Sequence, residues 1–154
     1  MTAPTTWIVA YDFSDLAKSA LEKAERQLSG LGGGRIIIAH VHVPATDGAG
    51  IDLGTLGPGF VQSEQAVLEA TERALADLIA GLPPVPGVTR EHRILVGRPA
   101  DKIVDLAVAL DADQIVIGSH GRRGFERLLL GSVAERMLRL ADRPVLVVKK
   151  VSSK

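Results

Sequence analysis

The sequence predicts an α/β protein in which a parallel sheet is covered by helices on both faces. Short apolar runs rich in isoleucine and valine alternate with stretches whose apolar residues recur every three or four positions. The runs are too uniformly apolar to leave one face in water, which is typical of parallel strands buried between helices. The 154 residues suit one domain, which we expect to span residues 1–154.

Composition excludes several classes of function. The chain has no cysteine, which excludes disulfides, thiol catalysis and iron–sulfur clusters and is ordinary in a reducing cytoplasm. Its 18 Lys plus Arg balance 18 Asp plus Glu, so no overall field attracts nucleic acid or an anionic membrane. No basic region precedes the first apolar run, and no apolar stretch reaches the length of a membrane span. We therefore expect a cytoplasmic protein whose attraction to anions is local.

The first half of the chain predicts a strand, a helix, a second strand and a long connection. Trp7–Tyr11 is apolar, and the helical spacing that begins after Ser14 ends in the glycine-rich segment 29–34. Arg35–Val43 is the second apolar run. Pro44–Gln62 follows without periodicity and is interpreted as either a lid or a merely mobile connection.

The second half continues the same alternation. Ser63 is suited to cap the second helix, which ends at Pro83 and Pro84. Thr89–Val96 predicts a third strand, whose polar start indicates a place near a sheet edge. The remaining predicted elements are a helix from Pro99, a strand at Ile115–Ile117, a helix over about Ser132–Ala141 and a last strand at Val145–Val148.

The segment after the fourth strand has the features of an anion site. Gly118-Ser119-His120-Gly121 leaves the carboxyl end of that strand, and Gly131-Ser132 follows after nine intervening residues at a helix start. Glycines let backbone N–H groups approach a ligand, and the first N–H groups of a helix carry the positive end of its dipole. Arg122, Arg123 and Arg127 add positive charge between the two glycine corners. Phosphate is the ligand that this arrangement favours.

Each candidate position also has a local alternative. Ser132 and Glu135 match a capping box, in which the serine hydroxyl caps its own helix. Asp12, at the carboxyl end of the first strand, is placed to hold a ribose or a base, but Asp12 or Ser14 could instead start the first helix. His40 is interpreted as a core or strand-end residue rather than a ligand.

Motifs of several enzyme classes are missing. The sequence contains neither a P-loop nor a G-x-G-x-x-G segment. Ser119 lacks the first glycine of a nucleophile elbow, and His120, as its neighbour in sequence, is poorly placed to serve as its base. The histidines at 40, 42 and 92 do not have the spacing of metal ligands. We therefore predict no catalytic residue and no metal ligand.

Motifs along the whole chain resemble the universal stress protein family. They are Tyr11-Asp12-Phe13-Ser14, His40-Val41, Val96-Gly97-Arg98-Pro99, the two glycine corners, and Arg143-Pro144-Val145-Leu146-Val147-Val148. The corners match G-x-x-G-x9-G-S/T, the signature of the nucleotide-binding branch of that family. The resemblance implies a Rossmann-like, three-layer fold with an open, twisted sheet of five parallel strands in the order 3-2-1-4-5.

The resemblance also implies a ligand between the first and fourth strands. Asp12 and the backbone of Val41 would face adenine and ribose. The phosphates would be surrounded by Gly118, Gly121, Gly131, Ser132 and Val133, with His120 and Arg122 as further candidates. Family members commonly dimerise through the last strand, so we expect a homodimer through Val145–Val148. The alternative is a monomer whose edge strand is guarded by Pro144 and the two lysines that follow the strand.

The expected function is that of a cytoplasmic stress-response regulator that binds ATP, with or without Mg²⁺. Nucleotide occupancy would alter the connection Pro44–Gln62 or the dimer surface, and a regulatory protein partner is implied rather than nucleic acid or membrane. Two alternatives stay open. One is a slow ATPase or autophosphorylating enzyme with Ser132 or Ser119 as acceptor, which lacks an evident base. The other is a nucleotide-free dimeric scaffold in which the glycine motif only shapes a turn.

Overall fold

Strands and helices alternate along the whole described chain. The structure is a computed structural model that describes residues 4–45, 57–120 and 130–149, with residues 57–61 described by their backbone alone. The strands are β1 (Thr6–Ala10), β2 (Gly34–His42), β3 (Val88–Val96), β4 (Gln114–Gly118) and β5 (Val145–Val148). The helices are α1 (Asp15–Gly30), α2 (Gly57–Gly81), α3 (Pro99–Ala109) and α4 (Ser132–Leu140).

The five strands form one parallel sheet in the order β3-β2-β1-β4-β5, which confirms the predicted topology. Ile8 in β1 pairs with Ile37 on one side and with Ile115 on the other. The chain therefore leaves β1 toward β2 and β3 and later returns to the opposite side of β1 at β4. Such a reversal opens a crevice beyond the carboxyl ends of the two central strands.

Alternate residues of the strands enter two separate cores, one on each face of the sheet. Trp7, Val9, Ile36 and Ile38 pack with residues of α1 and α2, including Ala20, Ala24, Leu28 and Leu75. Ile8, Ile37, Ile115 and Ile117 pack with residues of α3 and α4, including Ile103, Ala107, Ala134 and Met137. Because both faces of the central strands are buried, their sequences are continuous apolar runs. The half-exposed β3 lies at one edge, as its polar start predicted.

The start of α2 corrects the predicted connection. The helix begins at Gly57, so Ser63 lies within it and is not its N-cap. Pro58 suits the first helical turn because its missing N–H would have no helical acceptor there, and the neighbouring glycines cost only about 1 kcal/mol each. Residues 46–56 of the predicted connection lie outside the described residues. None of the described helices is long and apolar enough to span a membrane.

The hydroxyl of Tyr11 is buried in the core and unpaired within the described part of the chain. Tyr11 is 3% exposed, and none of the residues in 4–45, 57–120 and 130–149 bonds to its phenol oxygen. The ring packs edge-on against Phe13, with 5.2 Å between ring centroids. Burial, with a smaller effect of the Asp12 charge, raises the pKa of Tyr11 above its usual value of 10.0.

Substitution of this hydroxyl should stabilise the protein. Tyr11→Phe should raise the free energy of unfolding at pH 7 by about 1 kcal/mol, because it removes a buried polar atom that is unpaired. Urea denaturation of both proteins measures the difference. A less stable variant would show that the hydroxyl has a partner.

The same pair of proteins tests the raised pKa. A folded-state pKa above the unfolded value gives stability that is complete below about pH 10 and is lost as pH rises toward the folded pKa. Tyr11 is the only tyrosine in the chain, so only the wild type should lose stability for this reason. The stability difference between the two proteins should therefore widen above pH 10.

Candidate functional site

A cavity of about 640 Å³ lies beyond the carboxyl ends of β1, β2 and β4. It is the crevice that the reversal of strand order creates, and its volume falls in the range of about 300–1,000 Å³ usual for small-molecule sites. The lining residues are Ala10, Tyr11, Asp12, Ser14, Ala17, Ala39, His40, Val41, His42, Val43, Pro99, Ile103, Ile117, Gly118, Ser119, His120, Gly131, Val133 and Ala134.

The two glycine corners meet at this cavity. The Gly131 N–H donates to the Ser119 carbonyl oxygen at 2.6 Å. A Cβ atom on Gly131 would lie 2.9 Å from that oxygen and 3.4 Å from the Cα atom of His120. A Cβ atom on Gly118 would lie 2.9 Å from Cγ of Leu16. Glycine at position 131 is therefore required for the two corners to come this close, and glycine at position 118 leaves room for the Leu16 side chain of α1.

The N-terminus of α4 opens onto the cavity without a side-chain cap. Its N-cap is Gly131, in an extended conformation, and Ser132 is the exposed first residue of the helix. The predicted capping box is therefore wrong: the contact of Gly131 with Ser119 places the N-cap one residue earlier. The Glu135 N–H is the first to bond within the helix, to the Gly131 carbonyl at 2.9 Å. The N–H groups of the three residues before Glu135 thus have no acceptor in α4.

A tight turn after β1 holds Asp12 at the cavity. The Ser14 N–H donates to Oδ1 of Asp12 at 3.0 Å, and Ser14 Oγ accepts from the Ala17 N–H at 3.1 Å as the N-cap of α1. Of the two residues proposed to start the helix, Ser14 does so. Phe13 has a φ of 65°, which is unusual for a bulky residue, and its ring lies 5.3 Å from that of His40. The strained turn is thus fixed by packing.

Val41 lines the cavity because β2 extends beyond the last residue of β1 that pairs with it. The last residue pair between these strands is Ala10 with Ala39, and Val41 pairs with Leu95 of β3 on its other side. Its backbone therefore faces the cavity where β1 has ended. His40 places Nδ1 2.8 Å from the Tyr11 carbonyl oxygen, which agrees with its interpretation as a strand-end residue.

Ser119 and His120 form a hydrogen-bonded pair at the end of β4. The distance from Ser119 Oγ to His120 Nδ1 is 2.8 Å, so His120 does reach Ser119, although it was predicted to be poorly placed to serve as its base. The chain bends directly after Gly118, which brings the two neighbouring side chains together. Ser119 is only 2% exposed, and Nε2 of His120 is buried with no hydrogen-bond partner in the part of the chain that the structure describes. Within that part, the pair has neither an accessible nucleophile nor a third group that orients the imidazole.

The structure brings together most of the predicted site residues. Those that line the cavity are Asp12, Val41, Gly118, His120, Gly131 and Val133, whereas Ser132 does not line it. Gly121 and Arg122, with Arg123 and Arg127, lie outside the described residues. No cluster of three or more His, Asp or Glu able to hold a metal ion occurs among residues 4–45, 57–120 and 130–149.

Sequence reasoning missed the contribution of α3. Pro99 and Ile103 of α3 line the cavity, as does Ala134 in the first turn of α4. One signal was available: Pro99 follows the third predicted strand at its carboxyl end, which is the edge where ligands of parallel sheets bind.

Comparison with known proteins identifies the family. The family model described as the universal stress protein family matches residues 6–149. A relative from Thermus aquaticus, described as a universal stress protein in the QAH/OAS sulfhydrylase 3′ region, is 35% identical over 147 residues, which cover 94% of this chain and 98% of the relative.

Solved structures share the same fold. The protein MJ0577 superposes with a TM-score of 0.81 at 26% identity, over 99% of this chain and 100% of the other. A universal stress protein in complex with cAMP gives a TM-score of 0.58 at 28% identity, over 96% and 98%. The universal stress protein from Archaeoglobus fulgidus in complex with dAMP gives 0.53 at 25% identity, over 97% and 100%. From the match over residues 6–149, this chain belongs to the universal stress protein family.

Proposed function

We propose that this protein is a cytoplasmic stress-response regulator that binds an adenine nucleotide, ATP first of all, in the cavity between β1 and β4. The observation that carries the proposal is the cradle at the start of α4, where Gly131 packs on Ser119 and leaves uncapped N–H groups at the cavity. The complexes of two relatives with cAMP and dAMP support adenine nucleotides as the ligand class.

Two parts of the cavity would hold two parts of the nucleotide. The backbone of Val41 and the carboxylate of Asp12 would face adenine and ribose. The phosphates would lie against the backbone of Gly118, Gly131, Ser132 and Val133, with His120, Gly121 and Arg122 as further contacts. A Mg²⁺ ion that accompanies ATP would be held chiefly by the phosphates, as this ion usually is in nucleotide sites.

The phosphate contacts alone supply too little free energy for tight binding, so the rest of the cavity has to contribute. A helix dipole supplies up to about 2 kcal/mol, and charge-assisted hydrogen bonds supply about 1.5–3 kcal/mol each before the entropy of binding is subtracted. Micromolar affinity requires about 8 kcal/mol net. Val41, Ile103 and Ile117 provide apolar surface near the strand ends, against which a base would be removed from water.

Binding rather than turnover is favoured by the environment of Ser119. Its hydroxyl is buried and bonded to His120, so it is poorly available as a phosphoryl acceptor.

The candidate site is also connected to the edge strand β5, because the Ser119 N–H donates to the Val148 carbonyl oxygen at 2.8 Å. We propose that β5 forms the homodimer interface, so that nucleotide occupancy and the dimer surface share a backbone contact.

A single added methyl group tests the cradle. Gly131→Ala should weaken ATP binding by about 10- to 100-fold, because the Cβ atom forces the Gly131 and Ser119 segments apart and disturbs one or two phosphate hydrogen bonds. Calorimetry on protein stripped of ligand, with ATP, ADP, AMP and cAMP, measures the effect. Gly30→Ala is the matched control, since a Cβ atom there meets no atom within 4 Å. Equal affinities for wild type and Gly131→Ala would refute the phosphate site.

The absence of efficient turnover is a separate expectation. Steady-state phosphate release from Mg²⁺-ATP should be no faster with the protein than without it, because the Ser119 hydroxyl is buried against His120, and Ser132 does not line the cavity. A rate that exceeds the background and falls in Ser132→Ala or Asp12→Ala would instead support the enzymatic alternative.

The dimer is tested at the edge strand. The wild type should have twice the 16.3 kDa mass of the chain in solution, and Val147→Asp should convert it to a monomer, because an unpaired charge at the interface is costly. Light scattering gives the mass, and circular dichroism checks that the sheet is intact. Leu31→Asp replaces another apolar residue, 72% exposed after α1, and should stay dimeric. A folded Val147→Asp variant that remains a dimer would exclude β5 as the interface.

A further inference from the structure

His120 carries a hydrogen-bonding group that has no partner among the described residues. Its Nδ1 lies 2.8 Å from Ser119 Oγ, while Nε2 is buried and bonds to no described residue. His120 lines the cavity beside Gly131, at the uncapped start of α4. A buried nitrogen left unpaired at such a place is unfavourable unless a ligand completes it.

The position of Ser119 is fixed by its backbone. Its N–H donates to the carbonyl of Val148 at 2.8 Å, and its carbonyl accepts from the N–H of Gly131 at 2.6 Å. The side chain is 2% exposed and its hydroxyl has His120 as its partner in the described structure. Oγ is therefore a rigid point against which the imidazole of His120 is held.

Counting buried donors and acceptors selects one tautomer of His120. If Ser119 Oγ–H donates to Nδ1, the proton is on Nε2, and only the Nε2–H donor stays unpaired. If Nδ1–H donates to Oγ instead, both the serine hydroxyl proton and the Nε2 lone pair stay unpaired. The first arrangement leaves fewer buried polar groups without a partner and is the more stable one.

We infer that Ser119 is a positioning residue that holds His120 in the Nε2–H tautomer, so that Nε2–H donates to a phosphate oxygen of the bound nucleotide. The inference rests on the proposed nucleotide site and adds a side-chain donor to its backbone cradle. An anionic oxygen satisfies the Nε2–H donor, which no described residue pairs, whereas a ligand without phosphate leaves this donor unpaired.

The tautomer is measured in the free protein. ¹⁵N NMR of histidine-labelled wild type should show a pyridine-like Nδ1 and a pyrrole-like Nε2 for His120, identified by the loss of its signals in His120→Gln. In Ser119→Ala the two nitrogens should shift toward the average of a tautomer mixture. The signals of His40, His42 and His92 serve as an internal check that the variant is folded. A protonated Nδ1 in the wild type, or no change in a folded Ser119→Ala, would overturn the inference.

Nucleotide and nucleoside affinities test the phosphate contact. Ser119→Ala should weaken AMP binding about tenfold and leave adenosine binding unchanged, since adenosine has no phosphate to accept from Nε2. In the His120→Gln background, Ser119→Ala should have no further effect on AMP, because the group through which it acts is missing. Equal losses for AMP and adenosine would show a general structural role and contradict the inference.

The two proposals fail in different ways. A wild type that binds neither adenosine nor any adenine nucleotide would refute the proposed function and the phosphate contact together. Normal nucleotide binding, with AMP affinity unchanged in Ser119→Ala, would refute only the role given to Ser119 and His120.

Discussion

The hydrogen bond from the Gly131 N–H to the Ser119 carbonyl determines the shape of the candidate site. It joins the end of β4 to the start of α4 across a segment of the chain that lies outside the described residues. The contact excludes any Cβ atom at position 131, so it depends on glycine for steric reasons and not because of a positive φ. With Gly131 fixed as the N-cap, the dipole of α4 and its first N–H groups open onto the cavity.

The opposite wall depends on the unequal lengths of neighbouring strands. Since β1 stops at Ala10 while β2 continues to His42, the backbone at Val41 meets the cavity instead of another strand. The turn that follows β1 is held by packing of the Phe13 ring between those of Tyr11 and His40. One aromatic cluster on the α1 and α2 face thus fixes the position of Asp12 at the strand ends.

Ser119 connects the candidate ligand site to the edge of the sheet. The N–H of Ser119 donates a hydrogen bond to Val148 in β5, and its carbonyl oxygen accepts one from Gly131, the N-cap of α4. A change at the start of α4 therefore has a short covalent and hydrogen-bonded route to β5. This route gives a physical reason why a regulator of this fold could couple ligand occupancy to the surface at its sheet edge, with no need for chemistry on the ligand.

The sequence by itself determined the alternation of strands and helices, the edge position of β3 and the location of the glycine corners, because apolar periodicity and turn residues act over a few neighbouring positions. The resemblance to the universal stress protein family added the strand order, which places the carboxyl ends of the parallel strands at one edge of the sheet. Only the tertiary structure decided that α4 is capped by Gly131 and not Ser132, that Ser119 reaches His120, and that Pro99 and Ile103 complete the cavity. These features depend on contacts between residues far apart in the chain, or on a bend whose direction such contacts impose, and local sequence carries no record of either.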